Sequence, residues 1–496
     1  MREAVGEKAA RYGHSPTAFY TKQLLSTQTF RITMIYLAID FGGGSGRVIA
    51  GKLENGKLEM ELIHRFPNRQ VRLGNHVYWD FLALFEDMKT GLKMAGAKGL
   101  KVDGIAIDTW GVDFGLIDQD GNLLGNPVCY RDARTKGMPE EVFKQIDPSA
   151  HYAINGTQVM EINTLFQLYS LKKANSPQLE KAAHLLFTPD LFSYYLTGEA
   201  NNEYTIASTS ELLNATTKDW DWETIDQLGL PRHIFGKIVM PGTVRGKLRR
   251  DIAEETGLGE VDVIAVGSHD TASAVAAVPA TEDEYPMAFI SSGTWSLLGV
   301  EIEKPILTEE ARKAEFTNEG GIGGRITFLQ NITGLWIMQR LMAEWKENGE
   351  EQQFDIILPL AEEAHINAII PVDDAAFQNP ASMQQAIIDY CATHQLQVPQ
   401  TKAEIVRCVL QSLAAKYAEA TAHLNKMLPQ PIKCMHIIGG GSQNKLLNRL
   451  TSEALGVPVI AGPIEATGMG NILTQALAKG EIKDIDEQRA VVRQSI

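Results

Sequence analysis

A recurring unit limits most strongly what this chain can fold into: a short apolar, β-type run that passes at once into glycine, serine, threonine or aspartate. It occurs as Ile35 to Asp40 before the loop Phe41 to Arg47, as Gly104 to Asp108 before Thr109 to Gly111, and as Val261 to Val266 before Gly267 to Asp270. It occurs again as Met287 to Ile290 before Ser291 to Thr294, and as Met435 to Ile438 before Gly439 to Asn444. Short strands ending in small polar loops are how α/β sheets present ligand sites. Helical patterns lie between the strands. Over Trp79 to Ala97, the side chains Phe81, Leu84, Phe85, Met88 and Leu92 fall on one face. A second helix is expected from about Ala403 to Leu428, opened by a capping box of Thr401 and Glu404 and striped by Val406, Val409, Leu410, Leu413, Tyr417 and Leu424. Alternating strands and helices make an α/β fold.

At 496 residues the chain has room for two to four domains of ordinary size. Two stretches, Ile35 to Arg47 and Met287 to Ser296, both run strand and then Gly/Ser/Thr loop, which suggests a duplication. The acidic, proline-containing segment Thr281 to Pro286 just before the second copy marks a domain boundary. Domains are therefore expected over 34–280 and 286–480, facing each other across one cleft, with a tail over 481–496. Residues 1–33 mix Arg2, Lys8, Arg11, Lys22 and Arg31 with Glu3 and Glu7 and have no apolar core, so they are not a secretory signal. They read as a disordered extension or an upstream mis-start, with Met34 a possible initiator and a transit peptide the weaker alternative.

Charge and cysteine usage narrow the function classes. With 46 Lys and Arg against 61 Asp and Glu, the net charge is −15, and such a surface repels nucleic acid and anionic lipid. The same repulsion acts on any phosphorylated small molecule, which must then be held by local donors or a metal ion. Cys129, Cys391, Cys408 and Cys434 are far apart and form no zinc-type spacing. No stretch approaches the roughly 18 apolar residues of a membrane helix. A cytoplasmic protein that binds no nucleic acid and no membrane, as a monomer or small homo-oligomer, is expected.

Three familiar motifs are only approached. Asp40-Phe41-Gly42 and Asp113-Phe114-Gly115 lack the upstream elements of a protein kinase. Near-Walker patterns at Gly46 to Lys52 and Gly51 to Lys57 have Leu53 and Leu58 where a hydroxyl must bind magnesium. The glycine cluster after Asp40 misses the dinucleotide fingerprint because Arg47 replaces its last glycine.

Four segments then carry the chemistry. Gly42, Gly43, Gly44, Ser45 and Gly46 can donate backbone amides to an anion, Arg47 adds a cation, and Asp40 at the strand end can position a hydrated Mg2+; a tight hairpin that needs glycines explains the same residues. Asp270, among the small residues Gly267 to Ala274, is placed to take a proton from an alcohol, or simply to cap a helix. For His269 alone a structural hydrogen bond suffices. Ser291 to Thr294 offers hydroxyls and amides to a phosphate, or forms an ordinary turn. Gly439, Gly440 and Gly441 let a flat ligand lie on the backbone with Gln443 and Asn444 at its edge.

In this order the segments resemble the FGGY carbohydrate kinases, relatives of actin, hexokinase and the 70-kDa heat-shock ATPase. The residues that carry the resemblance are Ile107 to Asp113, Tyr130 to Asp132, Asn163 to Leu165, Pro189-Asp190, Gly267 to Ala274, Ser291 to Ser296, Thr317 to Gly321, Gly334 to Trp336 with Gln339-Arg340, and Gly439 to Asn444. They are most similar to the branch that acts on L-rhamnulose, from about Met34 to residue 480. The resemblance implies two actin-like, RNase-H-like ATPase domains closing over a sugar and ATP. It places ATP contacts on Gly43, Gly44, Ser45, Gly46, Arg47, Thr294, Gln339 and Gly440. Sugar contacts fall on Gly111, His269, Asp270, Thr271 and Asn331, with Asp270 as the base. Gly43 and Gly44 stand where the family often has Ala-Ser, which removes a hydroxyl and keeps the amides. The implied activity is ATP-dependent, Mg2+-assisted phosphorylation of L-rhamnulose at O1. Kinases of L-fuculose or D-xylulose, and an actin-like or chaperone-type ATPase switch, are the competing readings.

Overall fold

Residues 33–496 are described by a computed structural model, in which the apolar runs become strands of two six-stranded sheets. The expected amino-terminal extension, apart from Thr33, lies outside the described residues. The first sheet comprises β1 (Met34–Phe41), β2 (Ser45–Glu54), β3 (Lys57–Pro67), β4 (Gly104–Thr109), β5 (Val244–Lys247) and β6 (Asp262–Ile264), in the order β5-β6-β4-β1-β2-β3. The second comprises β7 (Ala288–Ser292), β8 (Trp295–Ile302), β9 (Thr317–Gly320), β10 (Ile326–Thr333), β11 (Met435–Ile438) and β12 (Val459–Ala461), in the order β9-β10-β8-β7-β11-β12.

Both sheets share a five-stranded arrangement and differ in the sixth strand, which is β5, antiparallel to β6, in the first and β9, antiparallel to β10, in the second. An antiparallel hairpin, β1–β2 or β7–β8, is followed on one side by a further antiparallel strand and flanked on the other by parallel strands. The duplication read from the two hairpin sequences is thus a duplication of topology. Strand β1 is buried on both faces over most of its length, as a central strand with a parallel neighbour should be. The outer strand β3 has buried Leu58, Ile63 and Phe66 interspersed with exposed polar residues.

Helix α1 (Phe81–Ala97) begins two residues later than Trp79, because Asp80 caps it and Trp79 closes a short strand, His76–Trp79. The strand expected over Val261 to Val266 shortens to β6, since the Ala265 amide turns to the Thr243 carbonyl at 2.8 Å. Two more helices frame the cleft, α2 (Asp270–Ala276) and α3 (Trp336–Glu347). Helix α4 (Lys402–Met427) carries the expected capping box of Thr401 and Glu404. Helices α5 (Lys445–Leu455), α6 (Ala466–Ala478) and α7 (Ile485–Ser495) follow.

Each sheet buries its own apolar layer, and a third apolar cluster joins them. In it Tyr36, Ala38 and Ile49 of the first sheet meet Phe289 and Ile438 of the second, with Ile472 and Leu473 of α6. Although α6 follows the second sheet in the chain, it packs against β1, β4 and α2 of the first half. This joint sets the two hairpin tips on opposite walls of one cleft. All four cysteines are buried and free. Among the described residues, no helix is long and apolar enough to cross a membrane.

Candidate active site

The cleft holds a cavity of about 720 Å3 whose wall takes Gly43, Gly44 and Arg47 from the first hairpin and Ser291 to Trp295 from the second. Gly111, His269, Asp270, Thr271, Asn331, Gln339 and Gly440 complete the set of sequence-expected residues that reach it. Residues separated by several hundred positions are brought to one surface.

The first hairpin arranges charge by register. In β1–β2 Asp40 faces Arg47, and in the parallel pair β1–β4 it faces Asp108, so cross-strand neighbours share one face. Arg47 donates to both Asp40 and Glu465, the latter contributed from just before α6. Asp40 and Asp108 are both buried; burial raises the pKa of each, and for Asp108 the neighbouring Asp40 charge adds to the rise while Asn471 Nδ2, donating at 2.6 Å, opposes it. The second Asp108 oxygen, Oδ1, is buried with no hydrogen-bond partner. Two adjacent carboxylates with a free oxygen fit a hard cation such as Mg2+, which takes oxygen ligands. The glycine loop is pinned from behind by Asn68, which donates through Nδ2 to the Gly42 carbonyl and through its backbone N–H to the Gly44 carbonyl. At Gly43 and Gly44 a Cβ would meet open space, leaving the backbone free to take an anion.

The loop 267–269 continues alongside the tip of β4: the Thr109 amide donates to the Ser268 carbonyl at 2.9 Å, and His269 bridges to Thr109. Gly267 is required there, because a Cβ would lie 2.7 Å from the Ser273 nitrogen in the following helix. Glu203 accepts from the Ser268 amide and Thr205 Oγ1 from the His269 amide, at 3.2 and 3.1 Å. The helix cap is His269, so Asp270 is the first residue of α2, and its Oδ1 accepts from the neighbouring Thr271 Oγ1 at 3.2 Å. Its side chain keeps about a third of its surface open to the cleft. Burial of its surroundings raises the Asp270 pKa, with the adjacent His269 opposing. Around His269, burial disfavours the charged ring, but Glu319 at 3.1 Å from Nδ1 and Asp270 at 3.5 Å from Nε2 outweigh it and raise the ring to about 9.

A third wall is built by Asp108 to Asp113. Buried Asp113 accepts from the indoles of Trp79 (2.6 Å) and Trp110 (3.0 Å), from Gln167 Nε2 (3.0 Å) and from the Tyr130 amide (3.2 Å), and burial pushes its pKa up to about 6. One carboxylate thereby fixes the Trp110 indole and the Tyr130 backbone at the cavity. Between them Val112 has φ +66, an unfavourable region for a β-branched residue that costs about 1–3 kcal/mol. Its amide donates to Thr209 Oγ1 at 3.0 Å and its carbonyl accepts from Thr164 Oγ1 at 2.6 Å, which holds Gly111 and Val112 against the cavity. Opposite, Asn331 donates to Gln158 Oε1 at 3.0 Å.

The second hairpin presents no charge. Thr294 Oγ1 donates to Gln339 Oε1 at 3.1 Å, tying the turn to α3. Gly439 has φ +82 and turns the chain into the segment Gly440–Gln443. A Cβ on Gly440 would point into open space.

The structure places several sequence-expected residues off the cavity wall. Ser45 and Gly46 do not reach the cavity wall: they begin β2, and the Phe66 ring lies where a Gly46 side chain would project. Asp40 is buried behind the wall, where Arg47 ties it. Asn444, expected at a ligand edge, instead caps α5 by accepting from the Leu447 amide at 3.0 Å. Sequence reasoning also gives no role to Glu319, Glu465, Gln158 or Asp113, all of which hold or line the site. Asp113 and Glu319 lie inside the resemblance motifs, but their partners are distant in sequence.

Comparison with known proteins agrees with this geometry. Residues 35–277 match the N-terminal domain, and residues 288–479 the C-terminal domain, of the FGGY family of carbohydrate kinases. The chain is 45% identical over 461 residues to a rhamnulokinase of Bacteroides thetaiotaomicron, covering 93% of this chain and 94% of that protein. It is 43% identical to a rhamnulokinase of Pectobacterium carotovorum, covering 90% and 89%. The fold matches the ligand-bound xylulose kinase of Lactobacillus acidophilus with TM-score 0.77 at 16% identity, covering 92% of each chain. It matches the glycerol kinase of Plasmodium falciparum with ADP at TM-score 0.76 and 15% identity, covering 94% and 93%.

Proposed function

The chain belongs to the FGGY family of carbohydrate kinases, and from that membership and its cleft we infer that it transfers the γ-phosphoryl group of ATP to O1 of L-rhamnulose, forming L-rhamnulose 1-phosphate and ADP. One observation carries the reading: a single cavity joins a part-exposed carboxylate at the start of α2, Asp270, to two glycine- and hydroxyl-lined hairpin tips. The substrate follows from the extensive identity with rhamnulokinases. Within this reading, residues 34–280 carry the sugar site, the first phosphate loop and Asp270, and 286–480 the remaining nucleotide site.

Asp270 accepts the O1 proton as that oxygen attacks the γ-phosphorus and the bond to the β–γ bridging oxygen breaks. A carboxylate raised toward neutral pH is a better base than an ordinary one. His269, Thr271, Gly111 and Asn331 orient the ketose against Trp110 and Tyr130. The amides of Gly43 and Gly44, the turn at Thr294, and Gly440 hold the nucleotide. Gln339 contributes by fixing Thr294, and Arg47, tied to two carboxylates, gives a short-range cation with little long-range pull. Asp40 and Asp108 would hold Mg2+, which when bound offsets charge on the phosphoryl oxygens. The apposed walls exclude water, so the sugar hydroxyl rather than solvent is the acceptor.

The test is ADP release measured with L-rhamnulose, L-fuculose, D-xylulose and their aldose isomers. Turnover that depends on ketose and is highest for L-rhamnulose is expected. ATP hydrolysis of equal rate without sugar would overturn the kinase reading, and preference for another ketose would overturn the substrate.

A further inference from the structure

We infer that Glu319, contributed by the second sheet, is the positioning residue that holds His269 as a donor for the ketose and as the cationic neighbour of Asp270. This deepens the proposed function and rests on its assignment of His269 and Asp270 to the sugar site. Glu319 sits on β9, and both adjacent residues are fastened to the first half of the molecule. Asn318 donates through its backbone and through Nδ2 to the Gly156 carbonyl, at 2.8 and 3.0 Å. The Gly320 amide donates to Ser208 Oγ at 2.7 Å. Ser208 belongs to the same segment as Thr205, which accepts from the His269 amide. Residues 203–208 therefore fix His269 and β9 relative to each other, and Glu319 Oε2 forms an ion pair with Nδ1 at 3.1 Å.

A ring flanked by carboxylates on both nitrogens is stabilised in its protonated form. The groups that face it are Glu319 from β9, Asp270 from α2, and Glu203 from beneath, while Asp40 faces Asp270 from β1. Glu203 is itself pushed up to about 7 by burial, and it acts on the ring less strongly than Glu319. Protonated His269 then does two things: it presents an Nε2–H beside Asp270, 3.5 Å from Oδ1, and its charge opposes protonation of that base.

The test is the pH profile of kcat/KM for L-rhamnulose in Glu319→Gln, with Glu319→Asp as the conservative variant. Removing the Glu319 charge lets His269 lose its proton at lower pH, so the alkaline limb moves down. With the neighbouring cation gone, Asp270 holds its proton to higher pH, so the acid limb moves up. A profile narrowed from both sides is expected, with kcat/KM for the ketose reduced about tenfold or more at mildly alkaline pH, KM for ATP changed less than about twofold, and part of the width restored by Glu319→Asp. A profile of parental width, whatever its height, would overturn the inference, since a merely structural loss lowers the rate at every pH alike. If Glu319→Gln does not yield folded protein, Glu319→Asp decides by the same criterion: partial narrowing supports the inference and parental width overturns it. Failure here is separable from failure of the functional reading, because an Asp270→Asn variant that retains activity strikes the base assignment, whereas an inactive Asp270→Asn beside a Glu319→Gln of parental profile strikes only the role of Glu319.

Discussion

The two hairpin tips occupy equivalent places in two sheets that share a five-stranded arrangement, yet they are chemically opposite. The first ends in Asp40 and Arg47 beside Asp108, a buried ionic corner. The second ends in Ser291, Ser292 and Thr294, where Ser292 faces Ser296 across the strands. A buried charge must be paired or it is costly, so the first tip needs Arg47, Glu465 and Asn471 to sustain it. The second is held by a turn and by neutral side-chain hydrogen bonds, Thr294 Oγ1 to Gln339 Oε1 and Ser296 Oγ with the Tyr417 hydroxyl. In a chain of net charge −15 the neutral tip is the one that can hold a polyanion without opposing it, and the charged tip is where proton and cation chemistry gathers. One topology used twice thus supplies a reacting wall and a holding wall.

Substitutions on the reacting wall are expected to act on turnover, and those on the holding wall on nucleotide affinity. The largest effect is expected for Asp270→Asn, which removes the base while keeping shape. It should lower kcat about 10^2 to 10^4-fold with KM for ATP nearly unchanged, read by coupled ADP release. In the parent, activity needs the carboxylate, so it falls as pH drops through a pKa above the ordinary aspartate range. Near-parental kcat in the variant would break the division of labour between the walls.

Arg47→Ala probes the border between them. The expected result is a rise of about tenfold in KM for ATP, consistent with loss of a charge-assisted contact, with a smaller change for the ketose. Thermal stability should fall too, because buried Asp40 loses its partner. A larger rise for the ketose than for ATP would place Arg47 on the sugar side. The smallest effect is expected from Thr294→Val on the holding wall. Losing one neutral hydrogen bond is worth about 0.5–1.5 kcal/mol, so KM for ATP should rise a few-fold with kcat unchanged. A large fall in kcat instead would mean that the neutral tip takes part in the chemistry.

Much of this organisation is legible in short stretches of sequence. The strands at Ile35, Gly104, Met287 and Met435, the α4 capping box and the paired hairpins all follow from local patterns, because side-chain alternation and turn residues act over a few positions. Most expected site residues reach the cavity because loops at strand ends project into it. Ser45 and Gly46 depart from expectation for a related reason: as neighbours of Gly44 they share its composition, but the chain has already turned into β2 there. Nothing local distinguishes the glycine that faces a ligand from the next one that pairs in a sheet.

Sequence alone determined which strands end in small polar loops and where the candidate residues lie along them, since glycine-rich turns, apolar runs and a lone aspartate among small residues are local facts. Tertiary structure alone decided how their charges are paired. Arg47 is neutralised by Glu465, 418 positions away, Asp40 meets Asp108 through strand register, and His269 acquires Glu319 from the opposite half. The physical reason is that electrostatic and hydrogen-bond energies depend on distance in space and on burial, and neither is encoded in spacing along the chain until the two sheets pack against each other.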